Sequence, residues 1–133
     1  MSEPIVQSAA VIGAAIAILI AIFHLLLLAG LPLGAYCWGG KYERVLPPRV
    51  RWMSLPSAIV LAIIALMILA YAGVIQMGDG AGAVIMIWAI AVFFGLNTLG
   101  NLASKSKREK AVMTPAAGIA FLCSLIVAIW GGF

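Results

Sequence analysis

The chain has 133 residues, 65% of them hydrophobic and only 9% charged, with eight Lys/Arg against four Asp/Glu and a net charge of +4. A soluble globular domain carries roughly 25% charged residues, and disordered segments and coiled coils need more polar or charged positions still, so all three classes are excluded. What remains is an integral membrane protein, and the absence of period-2 alternation makes its spans helices rather than barrel strands.

The charges themselves divide the chain. No Asp, Glu, Lys or Arg occurs in Pro4–Gly40, Trp52–Gly78, Gly80–Ser104 or Ala111–Phe133. Each run exceeds the roughly 20 apolar residues a helix needs to cross hydrocarbon. The expected fold is an all-α bundle of four transmembrane helices in a single domain, with spans at about 5–30, 55–76, 82–103 and 113–131.

The first span has no positive leading segment, and its apolar stretch is longer than that of a signal peptide, so it reads as an uncleaved helix. Ala9, Gly13, Ala17 and Ala21 recur every fourth residue, a stripe that permits close helix contact. Packing inside the bundle is its default role, and a homodimer seam the alternative. His24 is the only histidine. A neutral imidazole bonded to a neighbouring helix is the simpler reading, and a protonation switch the sharper one.

The link that follows is rich in Pro, Gly and aromatics: Leu31-Pro32-Leu33-Gly34, Trp38-Gly39-Gly40 and Leu46-Pro47-Pro48-Arg49. Tyr36, Trp38, Tyr42 and Trp52 form an interfacial belt, with Trp130 near the other face. Paired glycines let backbone approach something closely, either the bundle or a ligand. Ser54 is expected to cap the second span, with Pro56 in its first turn and Ser57 behind it. Gly78-Asp79-Gly80 reads as a tight turn.

Near the end of the third span, Asn97 and Asn101 share a helix face, with Thr98 between them. A charged loop, Ser104–Lys110, leads to the fourth span, which Thr114 is expected to cap with Pro115 just inside. Cys37 and Cys123 differ too much in depth to pair and read as small buried hydrophobes.

All eight basic residues fall in two connections: Lys41, Arg44, Arg49 and Arg51, then Lys105, Lys107, Arg108 and Lys110. The opposite side carries only Glu3 and Asp79. The positive-inside rule puts the basic loops in the cytoplasm and both termini outside. Those side chains, together with two helix N-termini, suit anionic lipid headgroups, although the positive-inside rule alone accounts for them.

Leu33-Gly34 followed by Lys41-Tyr-Glu43-Arg44 matches Leu99-Gly100 followed by Lys107-Arg-Glu109-Lys110 at an offset of 66. Two related helical hairpins would give this match, and so would the ordinary use of Lys, Glu and Pro around membrane loops; the second explanation is preferred. The segments Trp38-Gly39-Gly40-Lys41 … Leu46-Pro47-Pro48-Arg49 and Asn97-x-x-x-Asn101-x-x-Ser104 resemble those of an uncharacterised group of small bacterial four-span membrane proteins. The resemblance implies a bacterial cytoplasmic membrane and a four-helix fold, and it supplies no activity.

Polar side chains inside a bilayer are costly, so each needs a partner or a role. His24, Asn97, Thr98, Asn101, Ser57 and Thr114 are all expected in the third of the membrane nearest the basic loops. Interhelical bonding is the simpler explanation, and a pocket open to the cytoplasm the sharper one. Metal or cofactor binding, nucleic-acid binding and enzyme activity find no support, for there is no ligand cluster, phosphate loop or nucleophile–base pair. The functional expectation is a small transporter or channel-like protein for a neutral or anionic solute or a lipid, since no carboxylate is expected within a span. A homodimer or a larger membrane partner would complete it. The alternative is a non-catalytic accessory or lipid-organising subunit of a larger membrane complex.

Overall fold

In the computed structural model, residues 2–76 and 82–131 are described; the turn expected at Gly78-Asp79-Gly80 lies outside them. The elements are α1 (Glu3–Leu28), two short 3-10 turns (Gly34–Tyr36 and Trp38–Gly40), α2 (Pro48–Trp52), α3 (Ser54–Tyr71), α4 (Ala83–Leu102) and α5 (Lys107–Trp130). Four helices, α2 and α3 together counting as one, are long and apolar enough to cross a membrane. The protein is an all-α bundle of four such helices.

The helix ends follow local chemistry. Both α1 and α3 finish in a Schellman motif around a left-handed glycine. After α1, Gly30 has φ 96° and its N–H donates to Leu27 O, while Leu31 N–H reaches back to Leu26 O. After α3, Gly73 at φ 80° repeats the pattern, with bonds to Ala70 O and, from Val74, to Leu69 O. The second span therefore stops at Tyr71 rather than near residue 76. The end of α1 receives a further cap. Arg51 from α2 donates through Nη2 (2.9 Å) and Nε (3.3 Å) to Leu28 O, placing a cation at the negative end of the helix.

Two expected helix starts are corrected. Ser54 does not cap α3: Met53 precedes the helix in αR conformation without a side-chain cap bond, and Ser54 is buried. Thr114 does not cap α5, which begins a full two turns earlier behind Ser106, leaving Pro115 inside the helix. Ser106 Oγ accepts from Glu109 N–H at 3.3 Å, the N-terminal half of a capping box. Charges mark where hydrocarbon ends, whereas the helix continues into the interface.

Helix α1 packs against α3 on one side and α5 on the other, and α4 packs on α5, whereas α3 and α4 touch only slightly. Lipid tails are as apolar as leucine, so close packing rather than water expulsion must hold such helices together. The small residues supply it. Ala9, Gly13, Ala17 and Ala21 are all buried, and a Cβ on Gly13 would come within 3.1 Å of Cys123 Cβ on α5. Gly95 on α4 does the same beneath the ring of Phe121 on α5, at 3.2 Å. The stripe on α1 thus serves the bundle itself. Large side chains such as Leu19, Ile85, Leu96 and Leu122 point outward, as lipid contact requires.

The two hairpins are built differently despite the sequence match. Gly34 lies in a 3-10 turn, whereas Gly100 lies inside α4; Lys41 follows a turn, whereas Lys107 opens α5.

Candidate functional site

The site begins with the first connection, which folds back onto the start of α5. Gly34 N–H donates to Arg44 O at 2.7 Å, closing the connection into a loop. A Cβ on Gly34 would lie 2.5 Å from Arg44 O and 2.6 Å from Tyr42 O, so only glycine fits. Trp38, Gly39 and Gly40 then take positive φ in succession, at 56°, 64° and 82°. Two glycines make that path affordable to the backbone, and Trp38 is the only non-glycine with positive φ among the described residues.

The result is a clamp between loop and helix. Gly39 N–H donates to Glu109 Oε2 at 3.2 Å. Ser106 Oγ donates to Ala35 O, and Ser106 N–H donates to Ser104 Oγ at 3.1 Å. Gly40 packs so tightly that an added Cβ would sit 2.9 Å from Ser106 Cβ. The paired glycines therefore approach the bundle. A standard capping box would turn Glu109 back to its own N-cap; here the carboxylate crosses to the loop instead. Glu109 is buried, and no Lys or Arg lies within 4.0 Å of its carboxylate among the described residues. Burial, with the Glu109 charge second, pushes the Cys37 thiol up to about 11. Tyr36 packs edge-on against Phe23, anchoring the loop to α1 as well.

Beneath this loop, where α3 and α4 separate, lies an open cleft of about 500 Å³. Its walls are mostly apolar, including Ile20, Phe23, Val60, Leu61, Phe93 and Phe94. Every long helix adds a polar group: His24 from α1, Ser57 from α3, Asn97 and Asn101 from α4, and Glu109 from α5. Tyr36, Cys37 and Trp38 of the loop complete the lining. At the far end of the bundle the helices close on one another through Ala10, Ala14, Ile68, Ile87 and Val127, all buried.

Four of the six residues expected to form a pocket thus share one cleft, and two do not. Thr98 is absent from the lining and donates to Phe94 O in its own helix at 2.8 Å. Thr114 is also absent, and its Oγ1 is buried without a hydrogen-bond partner among the described residues. Among the lining residues, Asn97 Nδ2 donates to Phe93 O (2.8 Å) and Ser57 Oγ to Met53 O (3.1 Å), each within its own helix. Asn101 alone ties two helices, donating to Met113 O of α5 at 3.2 Å. Nδ1 of His24 is buried without a hydrogen-bond partner among the described residues.

The basic residues also divide by role. Arg51 is committed to the end of α1, and Lys41 Nζ lies 5.5 Å from the centre of the Tyr42 ring. Lys107, Arg108 and Lys110 stand on the first turns of α5, and Lys105 on the connection before it. Sequence reasoning missed Glu109 and the clamp. The signal was present, since Ser106-Lys107-Arg108-Glu109 has the Ser-x-x-Glu capping pattern, but its partner lies 70 residues away in the chain. No group of three or more His, Cys, Asp or Glu side chains suited to a metal ion occurs among the described residues.

No protein-family model, curated protein or solved structure matches the chain. Composition and fold define its class: a small polytopic membrane protein with four apolar helices.

Proposed function

We propose that the protein is a small carrier that takes a lipid or small polar solute into the cleft at its basic end. The single observation behind this reading is that all four long helices contribute polar side chains to one open cleft of about 500 Å³, a size suited to small-molecule ligands. The far end is tightly packed, which favours a binding or carrier role over an open channel. Among the described residues Glu109 is the only charged one in the lining, so the basis for an anionic solute is lost and a neutral or cationic head is preferred.

The eight basic residues support an orientation with the basic end in the cytoplasm and both termini outside, and the resemblance to small bacterial four-span proteins supports a bacterial cytoplasmic membrane. Those not committed elsewhere face anionic headgroups at that surface. The second reading, a non-catalytic accessory or lipid-organising subunit, is favoured by one observation: Asn101 spends its amide on tying α4 to α5.

Native mass spectrometry from mild detergent, with lipids retained, distinguishes the two. Wild type should hold a small molecule or lipid that Val60→Trp, whose indole fills the cleft, excludes and that Asn97→Ala/Asn101→Ala holds less well. Identical ligand content in all three proteins would refute a binding cleft, and a stoichiometric membrane protein partner would favour the accessory role.

A further inference from the structure

The lining of the cleft carries one formal charge, and it is negative. Glu109 is buried against the loop, with Gly39 N–H on Oε2 and no Lys or Arg in ion-pair range among the described residues. A carboxylate taken out of water without a cation is costly, and a cation brought to it relieves that cost. The hydrogen-bond inventory points the same way. Ser57 gives its single O–H to Met53 O, and Asn97 and Asn101 each give an amide N–H to a backbone carbonyl. A side-chain amide has an acceptor oxygen besides its NH2 group, and a hydroxyl keeps acceptor lone pairs after donating. The acceptors of these three residues are thus left for a ligand while much of their donor capacity is spent.

Outside the cleft the sign reverses. Lys41 follows the Trp38–Gly40 turn, and Lys107, Arg108 and Lys110 share the first turn of α5 with Glu109, without any of the four lining the cleft. An acidic, acceptor-rich interior at the basic end of the bundle, set in apolar walls, is complementary to a zwitterionic amphiphile. Its amine would go inward, its phosphate would stay at the basic surface outside, and its chains would lie along Val60 and Phe93. We infer that the occupant of the cleft is an aminophospholipid, held by a protonated primary amine against Glu109 and the free acceptors of Ser57, Asn97 and Asn101. The inference rests on the cleft being a binding site, as proposed above.

The primary test varies the ligand on the intact wild-type chain, and two variants locate the effect. The delipidated protein is mixed with phosphatidylethanolamine, its N-methyl and N,N-dimethyl derivatives, phosphatidylcholine and phosphatidylglycerol of matched acyl chains, and retention is read by native mass spectrometry. Retention should fall stepwise with each methyl that replaces an N–H, by about tenfold overall, the ratio expected of one charge-assisted hydrogen bond. In Glu109→Gln, checked for folding by its helical circular dichroism, the series should flatten. Retention in wild type that ignores methylation, or that favours phosphatidylglycerol, would overturn the aminophospholipid assignment. If that retention were still lost in Val60→Trp, the cleft would stand as a binding site for something else. Retention unchanged in Val60→Trp would overturn the cleft itself.

Discussion

The two ends of the bundle are made from the same four helices and solve opposite problems. At the far end, Ala10, Ala14, Ile68, Ile87 and Val127 close the helices on one another, and the buried Ser124 finds its partner within its own helix, at Ala120 O. At the basic end, α3 and α4 separate around His24, Ser57, Asn97 and Asn101, and a long loop is clamped over the gap. A bilayer offers helices no hydrophobic reason to associate, so contact is made where small residues permit it and lost where polar or bulky ones intervene. The difference between the ends is therefore written in side-chain size and polarity, and the loop is the device that holds the open end in shape.

That contrast can be broken from the loop side. Gly34→Ala should have the largest effect on stability, about 3 kcal/mol, because its Cβ meets two backbone oxygens that cannot move aside. Thermal unfolding in detergent reads it, and Gly100→Ala, inside a helix with nothing near, is the control that should lose no stability. The environment of the clamp is read by chemistry. With its thiol pushed up to about 11, Cys37 should alkylate at pH 8 about a hundredfold more slowly than a thiol at the ordinary value. Glu109→Gln removes the charge that disfavours the thiolate, so the alkylation profile should shift to lower pH; an unmoved profile would separate Glu109 from the loop.

Smaller effects sharpen the picture. Arg51→Met should cost about 1 kcal/mol by stripping the cation from the end of α1, and high salt should reduce the difference. Asn101→Ala should cost about 0.6 kcal/mol, typical of one interhelical bond in a membrane protein. Asn97→Ala should cost less, since its amide bonds only its own helix.

The four spans and the basic end were legible because charge is excluded from hydrocarbon so strongly that its absence draws the map. The same rule misplaced the start of α5, since Lys107 to Lys110 are helical though charged. The end of α3 was missed because Gly73 acts as a cap, which hydropathy does not register. The grouping of His24, Ser57, Asn97 and Asn101 at one level followed from depth alone. Their bonds did not, because a polar side chain in a helix has its own carbonyls within reach as well as its neighbours'. Glu109 and the Trp38–Gly40 turn were illegible as a unit, since a contact across 70 residues leaves no local pattern.

The most direct test of an open basic end and a closed far end is aqueous accessibility in the membrane. In a background with Cys37 and Cys123 replaced by serine, single cysteines at Ser57 and Asn97 would be compared with one at Ile87 for reaction with a small charged thiosulfonate. The account predicts reaction at residues 57 and 97 from the basic side, suppressed by Val60→Trp, and none at residue 87. Equal reactivity at all three positions, or none at residues 57 and 97, would contradict it.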